Sequence, residues 1–197
     1  LDLTILIKKE QSQYLITSLK MYLILIKYNM KNKFIVVSDV DGCLTDGGLY
    51  YTSNGKIMKK FGVGDHEGVK LLKKNNIDVI FITADKTGLP IVEKRMKDMS
   101  NSELKVLSEV ERFDYVKSLK DEYDVVVFFG DGLGDMKISQ YEACTYFVCP
   151  RQAREEVQNF ADYITQYDGG HGAFLDMAIW VAQTLQGENY KELYEED

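Results

Sequence analysis

The sequence predicts a three-layer α/β protein: a doubly wound parallel sheet with helices on both faces, a β-hairpin flap and no cap domain. Three observations lead there. Apolar runs of strand length, Phe34 to Val37, Ile77 to Ile82 and Val125 to Phe129, have the composition of strands buried on both faces. Segments of helical period separate them, and alternating strand and helix implies right-handed crossovers between parallel strands. Each run also ends in polar and glycine residues, the place where open α/β sheets build their sites.

The elements follow in order. Residues 1–29 differ from the rest and read as an N-terminal extension, with the main domain expected over 30–197. Their apolar stretch, Met21 to Ile26, is bracketed by Lys20 and Lys27. It falls far short of the roughly 20 residues that a membrane span needs. It also lacks the small-residue cleavage site of a signal peptide. The first strand at 34–37 leads into "SDVDGCLTDG", and residues 48–61 read as a hairpin around Asn54-Gly55, a dipeptide that tolerates positive φ. Helical period is expected over 66–75, 88–99, 110–120, 135–141, 151–160 and 173–185, and short strands over 104–107, 145–148 and 163–165.

Composition narrows the function. With 45% hydrophobic and 28% charged positions, 197 residues suffice for one full hydrophobic core. A net charge of −7 without a basic stripe argues against a nucleic-acid partner. Cys43, Cys144 and Cys149 are odd in number and lack CxxC spacing, so neither a disulfide framework nor a zinc site is expected, and a reducing cytoplasm is the simple reading.

The strand ends carry the chemistry. The first delivers Asp39 and Asp41, two residues apart and so expected on one face of the strand, where like charges crowd unless a cation holds them. The second delivers Thr83 in "FITAD", and the third Asp131 and Asp135 in "GDGLGD". Four carboxylates, a hydroxyl and glycine-freed amides form a site for a hard cation carrying a phosphoryl group, and Mg2+ is the cation expected. Simpler readings of the pieces fail. An EF-hand loop starting at Asp39 would place Cys43 fifth and Tyr50 twelfth, which defeats calcium coordination. A dinucleotide-binding turn at 130–135 would put Asp131 against the pyrophosphate.

Taken together, "DVDGCLTDGG", "FITADKTG", Arg112 after "KVLSEVE" and "FFGDGLGD" resemble the four ordered motifs of haloacid dehalogenase (HAD) superfamily phosphatases. "LTDG", the hairpin ending at Phe61, "DHEG" and "GGHGA" are similar to the capless branch, which includes 3-deoxy-D-manno-octulosonate 8-phosphate phosphatases and acylneuraminate-associated phosphatase domains. The resemblance spans about residues 33–185.

It implies a phosphatase in which Asp39 attacks phosphorus and forms an aspartyl-phosphate. Asp41, protonated amid neighbouring carboxylates, would give its proton to the leaving oxygen. Thr83, the amide of Ala84 and Arg112 would hold the phosphoryl group, with Lys105 as the alternative cation. Asp39, the Asp41 carbonyl and Asp131 would bind magnesium, and Asp135 would orient its waters. Glu67 and His171 are further candidates for contact with substrate or a second subunit. Two positions depart from the pattern: Arg112 stands where the family usually has lysine, and His171 where the octulosonate enzymes usually have arginine.

The intervals between motifs leave no room for a cap, so the site would be open in a monomer; the resemblance implies a homotetramer whose hairpins cover neighbouring sites, acting on a small phosphorylated sugar acid of octulosonate 8-phosphate or nonulosonate 9-phosphate type. The alternatives are a catalytically silent relative, a phosphoacceptor receiver-like domain and a phosphomutase. The receiver needs its phosphorylated Asp after the third strand, where "KVLSE" has none. The mutase would need a cap to retain its intermediate.

Overall fold

The computed structural model describes residues 32–185, so the extension expected over 1–29 lies outside the described residues. Eight strands form two sheets: β1 (Phe34–Asp39), β2 (Tyr50–Thr52), β3 (Gly55–Met58), β4 (Ile77–Thr83), β5 (Glu103–Val106), β6 (Val125–Phe129), β7 (Tyr146–Cys149) and β8 (Tyr163–Ile164). The helices are α1 (Asp65–Lys74), α2 (Leu89–Asp98), α3 (Glu109–Ser118), α4 (Leu133–Gln140), α5 (Glu155–Gln158) and α6 (Ala173–Trp180). A π-helical turn, Val181–Leu185, continues α6.

The main sheet runs β5-β4-β1-β6-β7-β8, parallel throughout. All six residues of β1 are buried, because strands flank it on both sides and helices cover both faces. Its alternation splits the core in two. Phe34 and Val36 join Phe81, Val127 and Phe129 beneath α1, α2 and α6, which supply Val69, Leu72, Val92, Phe174 and Met177. Ile35 and Val37 join Ile80, Val126 and Phe128 beneath α3, α4 and α5, which supply Val116, Ile138 and Val157. From β1 the chain winds outward through β4 and β5, then crosses to β6 and winds the other way. The reversal between β1 and β6 opens a crevice at their carboxyl ends.

Local signals fix the helices. Ser108 and Glu111 form a reciprocal capping box on α3, Pro90 occupies the first turn of α2, and α1 carries Asp65 and Glu67 in its first turn and Lys73 and Lys74 in its last, as the helix dipole favours.

Three expectations need correction. The helix expected over 151–160 is only Glu155–Gln158: the Ala153 amide closes a turn onto the Pro150 carbonyl at 2.9 Å, and Arg154 stays extended at φ −62° and ψ 151°. The hairpin turns at Ser53-Asn54, one residue earlier than expected. Thr52 pairs with Gly55, and of Asn54 and Gly55 only the glycine has positive φ, at +107°. A register shift between Tyr50 and Tyr51 then twists the ribbon. Finally, β1 ends at Asp39, so Asp41 belongs to the turn that follows and strand alternation does not set its direction.

Candidate active site

The turn after β1 is built by its own backbone. The Val40 amide donates to the Ile82 carbonyl at 3.1 Å, and the amides of Leu44 and Thr45 fold back onto the Val40 carbonyl at 3.0 and 3.1 Å. Thr45 Oγ1 accepts from the Gly42 amide at 3.1 Å. Gly42 has φ +85°, and a Cβ there would lie 2.0 Å from Asp131 Oδ2, so only glycine lets Asp131 reach over this turn.

Around the turn the structure brings together Asp39, Asp41, Thr83, Arg112, Asp131 and Asp135. Arg112 reaches from α3 to set Nη2 3.0 Å from Asp39 Oδ1, while its Nη1 pairs with Asp135. Asp135 also accepts from the Gly132 amide at 3.0 Å, which draws the start of α4 two residues ahead of the expected 135. Thr83 Oγ1 donates to Asp41 Oδ2 at 3.3 Å and accepts from the Asp85 amide at 3.0 Å. Ala84 follows Thr83 on the exposed surface. Lys105, in contrast, pairs with Glu103 at 2.8 Å and lies 5.0 Å from the centre of the Tyr115 ring, so of the two candidate cations Arg112 is the one that engages the carboxylates.

Electrostatics mark the cluster. Burial raises Asp39 well above the usual carboxylate value; Asp135, Asp131 and Asp41 add to this and Arg112 opposes it. Burial, then the charges of Asp135 and Asp41, push Asp131 up to about 7, against the pull of Arg112. Oxygens of Asp39 and Asp131 and the sulfur of Cys43 all lie within 4.8 Å of one another. Burial, reinforced by the neighbouring carboxylates, holds the Cys43 thiol well above its ordinary value. Two acids that resist ionising side by side fit a divalent cation, whose charge would release both protons.

Two groups that the sequence reading did not single out complete the site. Lys59, beyond β3, is buried and lies 2.6 Å from Asp41 Oδ1 and 2.7 Å from Asp85 Oδ2. Asp85 also accepts from Lys56, the Thr87 hydroxyl and the Gly88 amide; despite burial, these bonds hold it well below the usual carboxylate value. Gln152 donates to the Gly42 carbonyl at 2.6 Å and accepts from the Gly169 amide at 2.8 Å. It thereby braces the turn after β1 against the loop over 169–172, whose glycines permit the approach: a Cβ on Gly169 would lie 1.9 Å from the Gly42 carbonyl.

The remaining candidates sit apart. His171 is exposed at the rim, its ring against Lys60 and the Gly169 carbonyl. Glu67 is exposed on α1, and no hydrogen bond or ion pair joins it to the site among the described residues.

No family model matches the chain. It is 31% identical over 164 residues to 3-deoxy-D-manno-octulosonate 8-phosphate phosphatase KdsC of Haemophilus influenzae, covering 81% of this chain and 88% of that protein. The chain belongs to the KdsC-type phosphatases of the HAD superfamily.

Solved structures agree. The cobalt-bound deoxy-D-mannose-octulosonate 8-phosphate phosphatase of Haemophilus influenzae matches at a TM-score of 0.71 and 28% identity, over 83% of this chain and 94% of that one. The Moraxella catarrhalis 3-deoxy-D-manno-octulosonate 8-phosphate phosphatase, in complex with magnesium, phosphate and KDO, matches at 0.67 and 26%, over 77% and 86%. The fold is a parallel α/β sheet without a cap between Asp41 and Asp131, where there are only the hairpin and the elements of the sheet layers. No helix among the described residues is long and apolar enough to cross a membrane.

Proposed function

We propose that this KdsC-type chain is a magnesium-dependent phosphomonoester hydrolase that acts through an aspartyl-phosphate on a sugar-acid phosphate, of the octulosonate 8-phosphate or nonulosonate 9-phosphate type. The observation that carries this reading is the meeting of Asp39, Asp41, Thr83, Arg112 and Asp131 at the carboxyl ends of β1, β4 and β6.

Asp39 is the nucleophile, held in line by Arg112. Asp41 serves the leaving group as acid and the second step as base, its carboxyl fixed between Thr83 and Lys59. Thr83, the Ala84 amide and Arg112 receive the phosphoryl oxygens. Asp39, Asp131 and the Asp41 carbonyl would hold the magnesium ion, with Asp135 behind them. When bound, the ion supplies charge that keeps the carboxylates ionised and offsets the negative phosphoryl group. The magnesium, phosphate and KDO found in the Moraxella relative support both the metal and the substrate class.

The reading extends to assembly and location. Leu49, Tyr50, Tyr51, Ile57 and Met58 stand exposed on the hairpin beside an uncapped site, which supports a homotetramer whose hairpins shield neighbouring sites. Three free, buried cysteines support a reducing cytoplasm.

A hydrolysis screen with magnesium over octulosonate 8-phosphate, nonulosonate 9-phosphate and simple hexose phosphates tests the proposal. Preference for a sugar-acid phosphate supports it; equal or better turnover of hexose phosphates overturns the substrate class.

A further inference from the structure

Lysine is seldom buried, and a buried lysine needs a counter-ion. The side chain of Lys59 is fully enclosed and faces two, Asp41 at 2.6 Å and Asp85 at 2.7 Å. Asp85 is itself fixed by Lys56, the Thr87 hydroxyl and the Gly88 amide. The chain entering Lys59 is pinned as well: Thr45 pairs with Phe61, and the Gly62 amide donates to the Leu44 carbonyl at 3.2 Å. The ammonium is thus set on one oxygen of Asp41, and the Thr83 hydroxyl on the other. A latch for the hairpin alone would need only the Asp85 contact.

We infer that Lys59 is a positioning residue for leaving-group protonation: together with the Thr83 hydroxyl on the other oxygen, it orients the Asp41 carboxyl toward the departing oxygen. This rests on the reading of Asp41 as the acid. In the step concerned, an oxygen of Asp39 bonds to phosphorus while the bond from phosphorus to the leaving oxygen breaks. The Asp41 proton moves to that oxygen, and the resulting carboxylate lies against the Lys59 ammonium. A carboxyl held on both oxygens faces the departing oxygen in one direction, and that orientation matters most in the step in which the leaving oxygen receives its proton. An ester whose leaving group departs as a stable anion has no need of the proton, and should not need Lys59.

The test compares kcat/KM of the full chain with magnesium on an alkyl ester, octulosonate 8-phosphate, and on p-nitrophenyl phosphate. kcat/KM covers the steps up to departure of the leaving group. For Lys59→Met the expected fall is about 100-fold or more on the alkyl ester, the range of a lost acid, and under about 5-fold on the aryl ester. In an Asp41→Asn background, Lys59→Met is expected to cost little more, because the two act as a unit. If Lys59→Met does not fold, Lys59→Gln removes the charge at similar length and carries the same comparison. Equal falls on both esters, as a structural latch would give, or an undiminished alkyl ester, overturn the inference. Asp39→Asn separates the two levels: it should silence both esters, and turnover by it would overturn the phosphatase mechanism itself rather than the role of Lys59 alone.

Discussion

Replacing Arg112 with alanine removes the cation that joins Asp39 to the start of α4. Its guanidinium is 3.0 Å from Asp39 and also pairs with Asp135, and its side chain is only 11% exposed. At that distance and an effective dielectric of about 20, one such pair is worth roughly 5 kcal/mol before desolvation is subtracted. The share felt by the transition state should be that of one preorganised donor, about 2 to 4 kcal/mol, or roughly 30- to 1,000-fold in kcat/KM. Arg112 is also the cation that opposes the raised value of Asp39. Leaving two enclosed carboxylates without their partner should further cost about 3 to 5 kcal/mol of stability, which urea unfolding measures separately. Arg112→Lys keeps a charge but loses the two-armed contact, and an intermediate loss of about 10-fold is expected. Lys105→Ala, which breaks a surface pair with Glu103, should stay within about 3-fold of wild type. Steady-state kinetics on the preferred sugar-acid phosphate decides. If Lys105→Ala falls at least 30-fold while Arg112→Ala stays near wild type, Arg112 has been given the wrong role.

Exhaustive chelation should abolish turnover and magnesium should restore it, since Asp39 and Asp131 resist ionising together without a cation; full activity in excess chelator would remove the metal. Asp65 lies buried beside Arg95 with neither carboxyl oxygen hydrogen-bonded, and burial, partly offset by Arg95, raises it to about 7. A raised folded value means that its contribution is fully present below the unfolded value near 4 and is lost as pH climbs to about 7, by at most about 1.4 kcal/mol per pH unit. Asp65→Asn should flatten this slope in urea melts between pH 4.5 and 8, and an unchanged slope would contradict the assignment. Tyr50→Asp with Ile57→Asp should dissociate the proposed tetramer in light scattering and raise KM for the sugar-acid phosphate more than for p-nitrophenyl phosphate; a wild type monomeric at micromolar concentration yet fully selective for one sugar acid would refute hairpin closure.

The sheet was legible because its central strands are apolar enough to be recognised alone, and the residues just beyond them had to arrive at one edge. That is why Asp39, Thr83 and Asp131 could be placed together from sequence. Asp41 was found for an incomplete reason: its direction comes from the turn over 40–45 and from Lys59, not from strand alternation. Lys59 and Gln152 were illegible. A lysine after an exposed hairpin reads as solvated, and a lone glutamine carries no periodic signal; only the close approach of distant loops gives either a role. The short α5 was overestimated because its surroundings have helical composition, while Pro150 and the extended Arg154 set its true start.

The brace from Gln152 to Gly42 and Gly169 also orders events in time. The turn that follows Asp39 leaves the ribosome well before residues 169–172, the wall behind it. A nascent chain halted before Gly169 already holds Asp39, Asp41, Thr83, Arg112 and Asp131, yet its turn around Gly42 lacks both the glutamine brace at Gly169 and the backbone packed against it. Competence to cleave phosphate should therefore arise abruptly, once residues 169–172 are in place, rather than accumulate as the carboxylates are added.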